Sequence, residues 1–418
     1  MVVLKRSYYP IVVAAMTFVV LVAAAGVRAV PTMYVRPFEN EFGWSDGVIS
    51  NALALQIALY GLTGPFAAAA MERYGVRATM VGALTVLAAA MVALTRVDAA
   101  WQLLPWAGLA GVGVGSLALA LGATIANRWF VTQRGLVIGV FSAGNATGQL
   151  VFLPFFGYLI EHQGWRISAI LLALVALTLV PLAWLFMRER PIDVQIPPWG
   201  GDKLEPAPTM RRNPLAEAFA ALNGASRSRT FWLLGGAFFI CGASTNGLIG
   251  THLVPACGDH GIPETGAAGL LAAMGIFDLI GTTASGWLSD RFDSRWLLFW
   301  YYGLRGLSLL FLPYAFGLAV IGLPAFAIFY GLDWIATVPP TLKLTTAAFG
   351  RERAAVVFGW IAAAHQLGAG MAALGAGWTR TLLGSYDQAF IAAGILCLVA
   401  SGIVLAIARR PRVEPAFA

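Results

Sequence analysis

Polar residues along this chain gather in short clusters, and between them run apolar segments of roughly 20 residues, the length a helix needs to cross the hydrocarbon core of a bilayer. Twelve such segments can be counted, centred near residues 20, 58, 87, 113, 147, 177, 243, 277, 306, 332, 365 and 397. The expected fold is all-α and membrane-embedded, with twelve transmembrane helices. The one long interruption, from about Arg188 to Arg229, is rich in proline and arginine. Within it Asn213, Pro214 and Glu217 form a helix-start signal, with Leu215, Phe219 and Leu222 on one face, so a short surface helix tethering two halves is expected there.

Composition agrees with the pattern. The chain is 59% hydrophobic and 11% charged, against about 25% charged for an average soluble domain. The net charge of +7 is a matter of placement. With both termini assigned to the cytoplasm, 21 of the 27 Lys and Arg fall on the cytoplasmic side, four (Arg36, Arg96, Arg166, Arg380) on the opposite side and two within spans. That asymmetry orients a membrane protein and gives no reason to expect a nucleic-acid partner. Lys5, Arg6 and the following apolar run mimic a secretion signal, but the run belongs to a first span that has a counterpart in the second half, and is read as retained. Cys241, Cys257 and Cys397 have no disulfide or metal spacing and read as small apolar fillers.

The chain reads as an internal duplication. Glu72-Arg73-Tyr74-Gly75-Val76-Arg77 precedes the third span, and Gly286 to Arg295, which includes Asp290, Arg291 and Asp293, precedes the ninth. Superposing Arg73 on Arg291 and Arg77 on Arg295 gives an offset of 218 residues, which also carries Pro37 onto Pro255 and Arg28 onto Asn246. Two six-helix bundles, residues 1–187 and 230–418 joined by a linker over 188–229, are expected to hold a substrate between them near the midplane, as parallel-repeat transporters do.

Gly286 to Arg295 resembles the cytoplasmic signature loop of the major facilitator superfamily, with Ala68 and Glu72 replacing its glycine and aspartate in the first copy. Glu72, Arg73, Arg77, Asp290, Arg291 and Arg295 are the gating residues this resemblance implies. Asn127-Arg128-Trp129-Phe130, Gln133-Arg134-Gly135-Leu136, Ser142-Ala143-Gly144-Asn145, Gly164-Trp165-Arg166 and Phe42-Gly43-Trp44-Ser45 resemble the monocarboxylate and oxalate/formate transporter branch. The resemblance implies an Asp on the eighth span tied to proton coupling, here Asp278. The arginine expected four residues later is Thr282; a first-span lysine is replaced by Ala29 beside Arg28; and His365 falls near the eleventh-span lysine of the oxalate/formate type.

Four charges lie inside the spans: Arg28, Asp278, Arg305 and Asp333. Each costs about 2.5–3.5 kcal/mol at mid-bilayer on insertion scales, so each needs a partner or a task. Counting ten residues either side of the turn near 288–295 puts Asp278 and Arg305 at one depth. A salt bridge between them is expected, either as a tie between spans or as a proton-sensitive coupling pair. Arg28 is matched to a carboxylate by its planar fork, or else bridges to Asp333. Asp333, Thr337 and Thr341 form a helical stripe, and Pro339 and Pro340 should free carbonyls toward a cavity. Asn145, Asn246 and His365 complete the expected substrate-binding set. Gly111, Gly113 and Gly115 lack the strand–turn–helix setting of a dinucleotide site and read as a close-packing or bending surface.

No nucleotide-phosphate loop, catalytic-triad spacing or metal cluster is apparent, so neither an enzyme nor a cofactor is expected. The reading is a secondary active transporter of a bacterial cytoplasmic membrane, multi-pass with cytoplasmic termini. It moves a small organic anion with protons and acts as a monomer in the lipid bilayer. The alternative is an exporter of amphipathic drugs or metabolites driven by proton antiport.

Overall fold

The computed structural model describes residues 8–204, 214–318 and 320–408, with some side chains inside helices, Glu72, Asn145 and Glu217 among them, outside the description. The described residues are helical apart from turns, loops and one isolated bridge between Phe130 and Trp199. The first run is α1 (Tyr9–Ala29), a 3-10 turn over Val30–Tyr34, and α2 (Val35–Phe42). There follow α3 (Asp46–Tyr74), α4 (Val76–Leu94), α5 (Leu103–Ser116) with α6 (Leu119–Trp129), α7 (Arg134–Gln163) and α8 (Trp165–Phe186). After the linker helix α9 (Pro214–Ala225) come α10 (Arg229–Gly242), a π-helical segment over Ala243–Ile249, α11 (Gly250–Asp259), α12 (Glu264–Arg291) and α13 (Ser294–Gly317). The chain then forms α14 (Gly322–Asp333), α15 (Val338–Phe349), α16 (Arg351–Leu383) and α17 (Asp387–Leu405).

Nine runs among the described residues are long and apolar enough to cross a membrane. Residues 134–163, 294–317 and 322–349 occupy the fifth, ninth and tenth expected positions. Large apolar side chains such as Leu177, Leu307, Phe329 and Met371 are exposed on the outside, as lipid-facing residues are. The short linker helix expected from Pro214 is present; it lies against α3 and α16, where the Trp360 indole donates to the Ala218 carbonyl at 2.9 Å.

The offset of 218 read from the sequence recurs in contacts. The Arg77 amide donates to Glu189 at 3.0 Å, and Arg295 donates to the Ile407 carbonyl at 3.1 Å; the two pairs are related by that offset. Tyr34 shares a 2.6 Å hydrogen bond with Ser168, and the offset maps this pair onto His252 and Tyr386, whose rings lie 5.1 Å apart. Each contact ties the last helix of one copy to its early helices.

Of the residues expected to gate, the Glu72 side chain lies outside the described residues. Asp290 is exposed, Arg291 lies over the Trp287 ring at 3.9 Å, and Arg73 lies over Tyr74 at 5.3 Å. Asp293 caps the start of α13, accepting from the Arg295 amide at 3.0 Å with its carboxylate 2.7 Å from the Arg295 guanidinium, and Glu189 accepts from the Val76 amide at 2.5 Å and lies 3.7 Å from Arg128. Glu189 has no place in the loop signature, because it reaches the start of α4 only through the fold. Arg77 rests on the Trp184 ring at 4.6 Å.

Glycine sets how closely the helices approach. A Cβ at Gly111 would stand 2.6 Å from the Gln56 carbonyl oxygen, and one at Gly115 2.6 Å from that of Tyr60, so α5 packs backbone to backbone on α3. Gly113 meets Leu87 of α4. The expected packing surface is therefore present. Gly115→Val should push α3 off its register at about 1–3 kcal/mol or more. We expect a lower unfolding midpoint in detergent and, because α3 carries Gln56 and Tyr60, impaired function even where the protein folds. An unchanged midpoint would show that the contact is loose.

The two halves meet along α3 with α16 and α7 with α12. On the first seam Gly61 takes the Gln366 side chain and Gly377 takes Ser50. Turns at 43–45, 95–99, 260–263 and 384–386 mark one side of the molecule, the far face; the linker lies on the opposite, near face.

Candidate functional site

A cavity lies between the two halves, lined by Arg28, Thr32, Gln56, Tyr60 and Leu153 from the first and Asn246, Thr251, Leu271, Trp334 and Gln366 from the second. Arg28 and Asn246, the pair related by the 218-residue offset, thus face the same space. The backbone leaves α-helical geometry beside both. Past Arg28, the fixed backbone angle of Pro31 accompanies the 3-10 turn, and Asn246 sits in the π-helical segment, where Thr251 donates to its carbonyl at 2.8 Å. Such irregularities are stable in a membrane only where protein or a water-filled space surrounds them.

The chemistry of the lining is that of a polar ligand with an apolar body. The Arg28 guanidinium lies 5.5 Å from the Tyr60 ring centre. Gln56 is 3% exposed, and among the described residues its Nε2 has no hydrogen-bond partner; Oε1 of Gln366 lacks one there as well. A buried amide without a partner costs about 1–3 kcal/mol, so these groups stand ready for a guest that donates and accepts. Trp334 and Tyr60 supply the apolar walls. Of these residues, Arg28 and Asn246 are among the expected substrate-binding residues, and Gln56 and Tyr60 lie one turn apart on α3. Trp334 and Gln366 carry no such signal, because a tryptophan and a glutamine in membrane helices are equally at home in packing.

Asp278, Arg305, Asp333, Thr337 and His365 form a second cluster, within the second half. The Arg305 guanidinium pairs with Asp333 at 2.6 Å and is itself 1% exposed. The expected bridge from Arg305 to Asp278 is not formed. Asp278 instead accepts from Thr282 at 2.9 Å and from the Ile335 amide at 2.9 Å. Helices α12 and α13 scarcely touch: α14 packs against both and stands between them, so the carboxylate that Arg305 meets is on the tenth run. Asp333 is likewise committed to Arg305 rather than to Arg28.

The carbonyls freed by Pro339 and Pro340 do not face the cavity either. The helix opens upstream of the prolines, over 334–337, and its loose groups are taken up at once. Arg305 donates to the carbonyls of Asp333 at 2.5 Å and Trp334 at 3.1 Å, and Ser285 to that of Ala336 at 2.5 Å. Arg305 also reaches the Cys241 sulfur at 2.9 Å, which contacts the Thr337 hydroxyl at 3.3 Å, and His365 adjoins the same thiol. Thr337 and His365 therefore belong to this clamp, and Cys241 is one of its central atoms rather than an idle filler. The clamp holds the break that presents Trp334 to the cavity. The Asn145 side chain lies outside the described residues.

Comparison with known proteins agrees with this architecture. The sequence profile of the Major Facilitator Superfamily matches residues 16–373 and, in a second match, 254–418. Monocarboxylate transporter 13 of Bos taurus is 27% identical over 369 residues, covering 86% of this chain and 80% of its own. The oxalate:formate antiporter of Oxalobacter formigenes is 28% identical over 140 residues, 34% of this chain and 33% of that one. A bacterial homologue of the human lysosomal transporter Spinster superposes with a TM-score of 0.73 over 98% of this chain and 99% of its own at 18% identity, a likeness of fold. With all-helical halves closing on a cavity and relatives in the monocarboxylate and oxalate/formate branch, the chain belongs to the Major Facilitator Superfamily of multi-pass membrane transporters.

Proposed function

We propose that the protein is a secondary active transporter that carries a small organic anion, a carboxylate, by alternating access in symport with protons. The observation that carries this reading is Arg28 on the wall of the cavity between the halves, beside Tyr60 and the unpartnered Gln56 amide. A guanidinium stays charged at any working pH and offers a paired donor edge to a carboxylate. Asn246 and Gln366 would bind the remaining polar atoms and Trp334 the apolar body. Residues 1–187 and 230–418 would rock about this midplane site, with 188–229 as the tether. The near face with both termini would be cytoplasmic in a bacterial inner membrane, and the monomer would be the working unit. Asp278, Arg305, Asp333, Thr337 and His365 would act through the clamp that positions Trp334.

The test is uptake into reconstituted vesicles of a panel of mono- and dicarboxylates at two imposed pH gradients. Saturable uptake of a carboxylate that grows with an inward proton gradient is expected. Uptake of amphipathic cations or neutral drugs in place of every carboxylate would overturn the reading.

A further inference from the structure

The wall of the cavity is lopsided in charge. Among the described residues that line it, Arg28 of the first half is the one charged side chain. The second half contributes Asn246, Gly250, Thr251, Leu271, Trp334 and Gln366, none of which ionises. Two hydroxyls on the wall are already engaged: Thr32 donates to the Ala29 carbonyl at 2.8 Å, and Thr251 to that of Asn246 at 2.8 Å. The Gln56 Nε2 and the Gln366 Oε1 have no such partner among the described residues.

Gln366 is held in a seat. A Cβ at Gly61 would stand 2.2 Å from the Gln366 Cβ and 2.6 Å from its Cγ, so the stem of Gln366 lies directly on the backbone of α3, and an alanine at 61 would have to move it. The far face is shut beside this space. Arg36 pairs with Asp259, and Arg380 lies 2.9 Å from Asp259, 3.5 Å from Glu39 and 3.8 Å from Asp46, a knot of ion pairs that crosses the seam. Trp378 donates to Asn51 at 3.2 Å across the same seam. A guest in the cavity is screened from water on that side, so its polar atoms and those of the wall depend on one another. An amide oxygen needs a donor: a hydroxyl or a carboxamide supplies one, whereas a carboxylate or a methyl group does not.

We propose that the cargo is a monocarboxylate bearing an uncharged hydrogen-bond donor, a hydroxyl or a carboxamide, at the end opposite its carboxylate, and that Gln366, seated on Gly61, selects for that group. The proposal rests on the carboxylate reading of Arg28. Arg28 and Asn246 are equivalents in the internal repeat, one from each half, so the charged and the neutral parts of the wall belong to opposite sides of the seam. The apolar body of the cargo lies among Leu53, Leu271 and Trp334. A second carboxylate would meet the neutral wall with no counter-charge and no proton to give. An alkyl end would leave the Gln366 oxygen unsatisfied, and a site built to hydrogen-bond a hydroxyl rejects the analogue that lacks it.

The test compares compounds of one chain length that differ only away from the carboxylate: butyrate, 4-hydroxybutyrate, succinamate and succinate, with 2-hydroxybutyrate as the positional isomer. The series is repeated with one carbon fewer and one more. Apparent affinities are taken from initial uptake by the full-length protein in reconstituted vesicles. At the preferred length the terminal hydroxyl and carboxamide compounds should bind about tenfold or more tightly than the other three. Gln366→Met, which keeps the stem and removes the amide, should bring that ratio to about one. Gly61→Ala, which displaces the stem, should lower it as well, and a positioning role is read from the ratio rather than from the rate. Saturable uptake with equal affinities across the series overturns the selection and leaves the carboxylate reading standing, as does an intact ratio in Gln366→Met. An unchanged ratio in Gly61→Ala overturns the role of the seat. Indifference to every carboxylate overturns both readings together.

Discussion

Arg305→Leu is expected to yield no monodisperse folded protein when the purified, detergent-solubilised variant is examined by size-exclusion chromatography. The substitution leaves Asp333, 6% exposed, without the cation 2.6 Å away. Removing one partner of a buried ion pair costs about 3–5 kcal/mol, because the other charge stays behind in a low dielectric. The carbonyls of Asp333 and Trp334 lose their donor in the same step, at about 1–3 kcal/mol for each buried group left unsatisfied. The sum approaches the whole stability of a typical protein, about 5–15 kcal/mol. Combining Arg305→Leu with Asp333→Leu removes the orphaned carboxylate but not the orphaned carbonyls, so it should recover part of the folded yield. A single variant that folds like the unmodified protein would show the clamp to be idle; full recovery in the double variant would assign the entire cost to the unpaired charge.

Arg28→Gln should leave folding intact and abolish saturable uptake. The side chain lines a polar cavity and is partly exposed, so water can enter where the guanidinium stood. Glutamine keeps a donor beside Tyr60 but lacks both charge and fork. A charge-assisted hydrogen bond contributes about 1.5–3 kcal/mol, which is roughly a ten- to hundredfold loss in apparent affinity for the anion. Arg28→Lys retains charge without the paired donor edge and should fall between the two. The measurement is initial uptake rate against anion concentration, with the thermal unfolding midpoint as the check on folding. Unchanged uptake in Arg28→Gln would remove the carboxylate from this site and favour an amphipathic cargo.

These expectations draw on what was readable along the chain to different degrees. Spacing and composition were sufficient for the membrane class, because apolar runs of spanning length have no other stable home. The repeat was readable from Arg73, Arg77, Arg291 and Arg295. It placed Arg28 and Asn246 as equivalents, and both line the cavity. A helix start at Pro214 and the packing role of Gly111, Gly113 and Gly115 were likewise visible as local signals.

The partner of Arg305 was not. Rise per residue gives depth in the membrane, whereas a salt bridge also needs azimuth and neighbourhood, and those follow from how α14 inserts between α12 and α13. The break over 334–337, the role of Glu189 at the start of α4, and the far-face knot of Arg36, Glu39, Asp46, Asp259 and Arg380 share that property. Their members are separated by tens to hundreds of residues and brought together only by closure of the bundle. Hydrophobic length and internal repetition are one-dimensional quantities that a chain carries in its order of residues. The choice of which buried charges meet is settled by three-dimensional packing, since an ion deprived of water takes whichever counter-charge or carbonyl the neighbouring helices present.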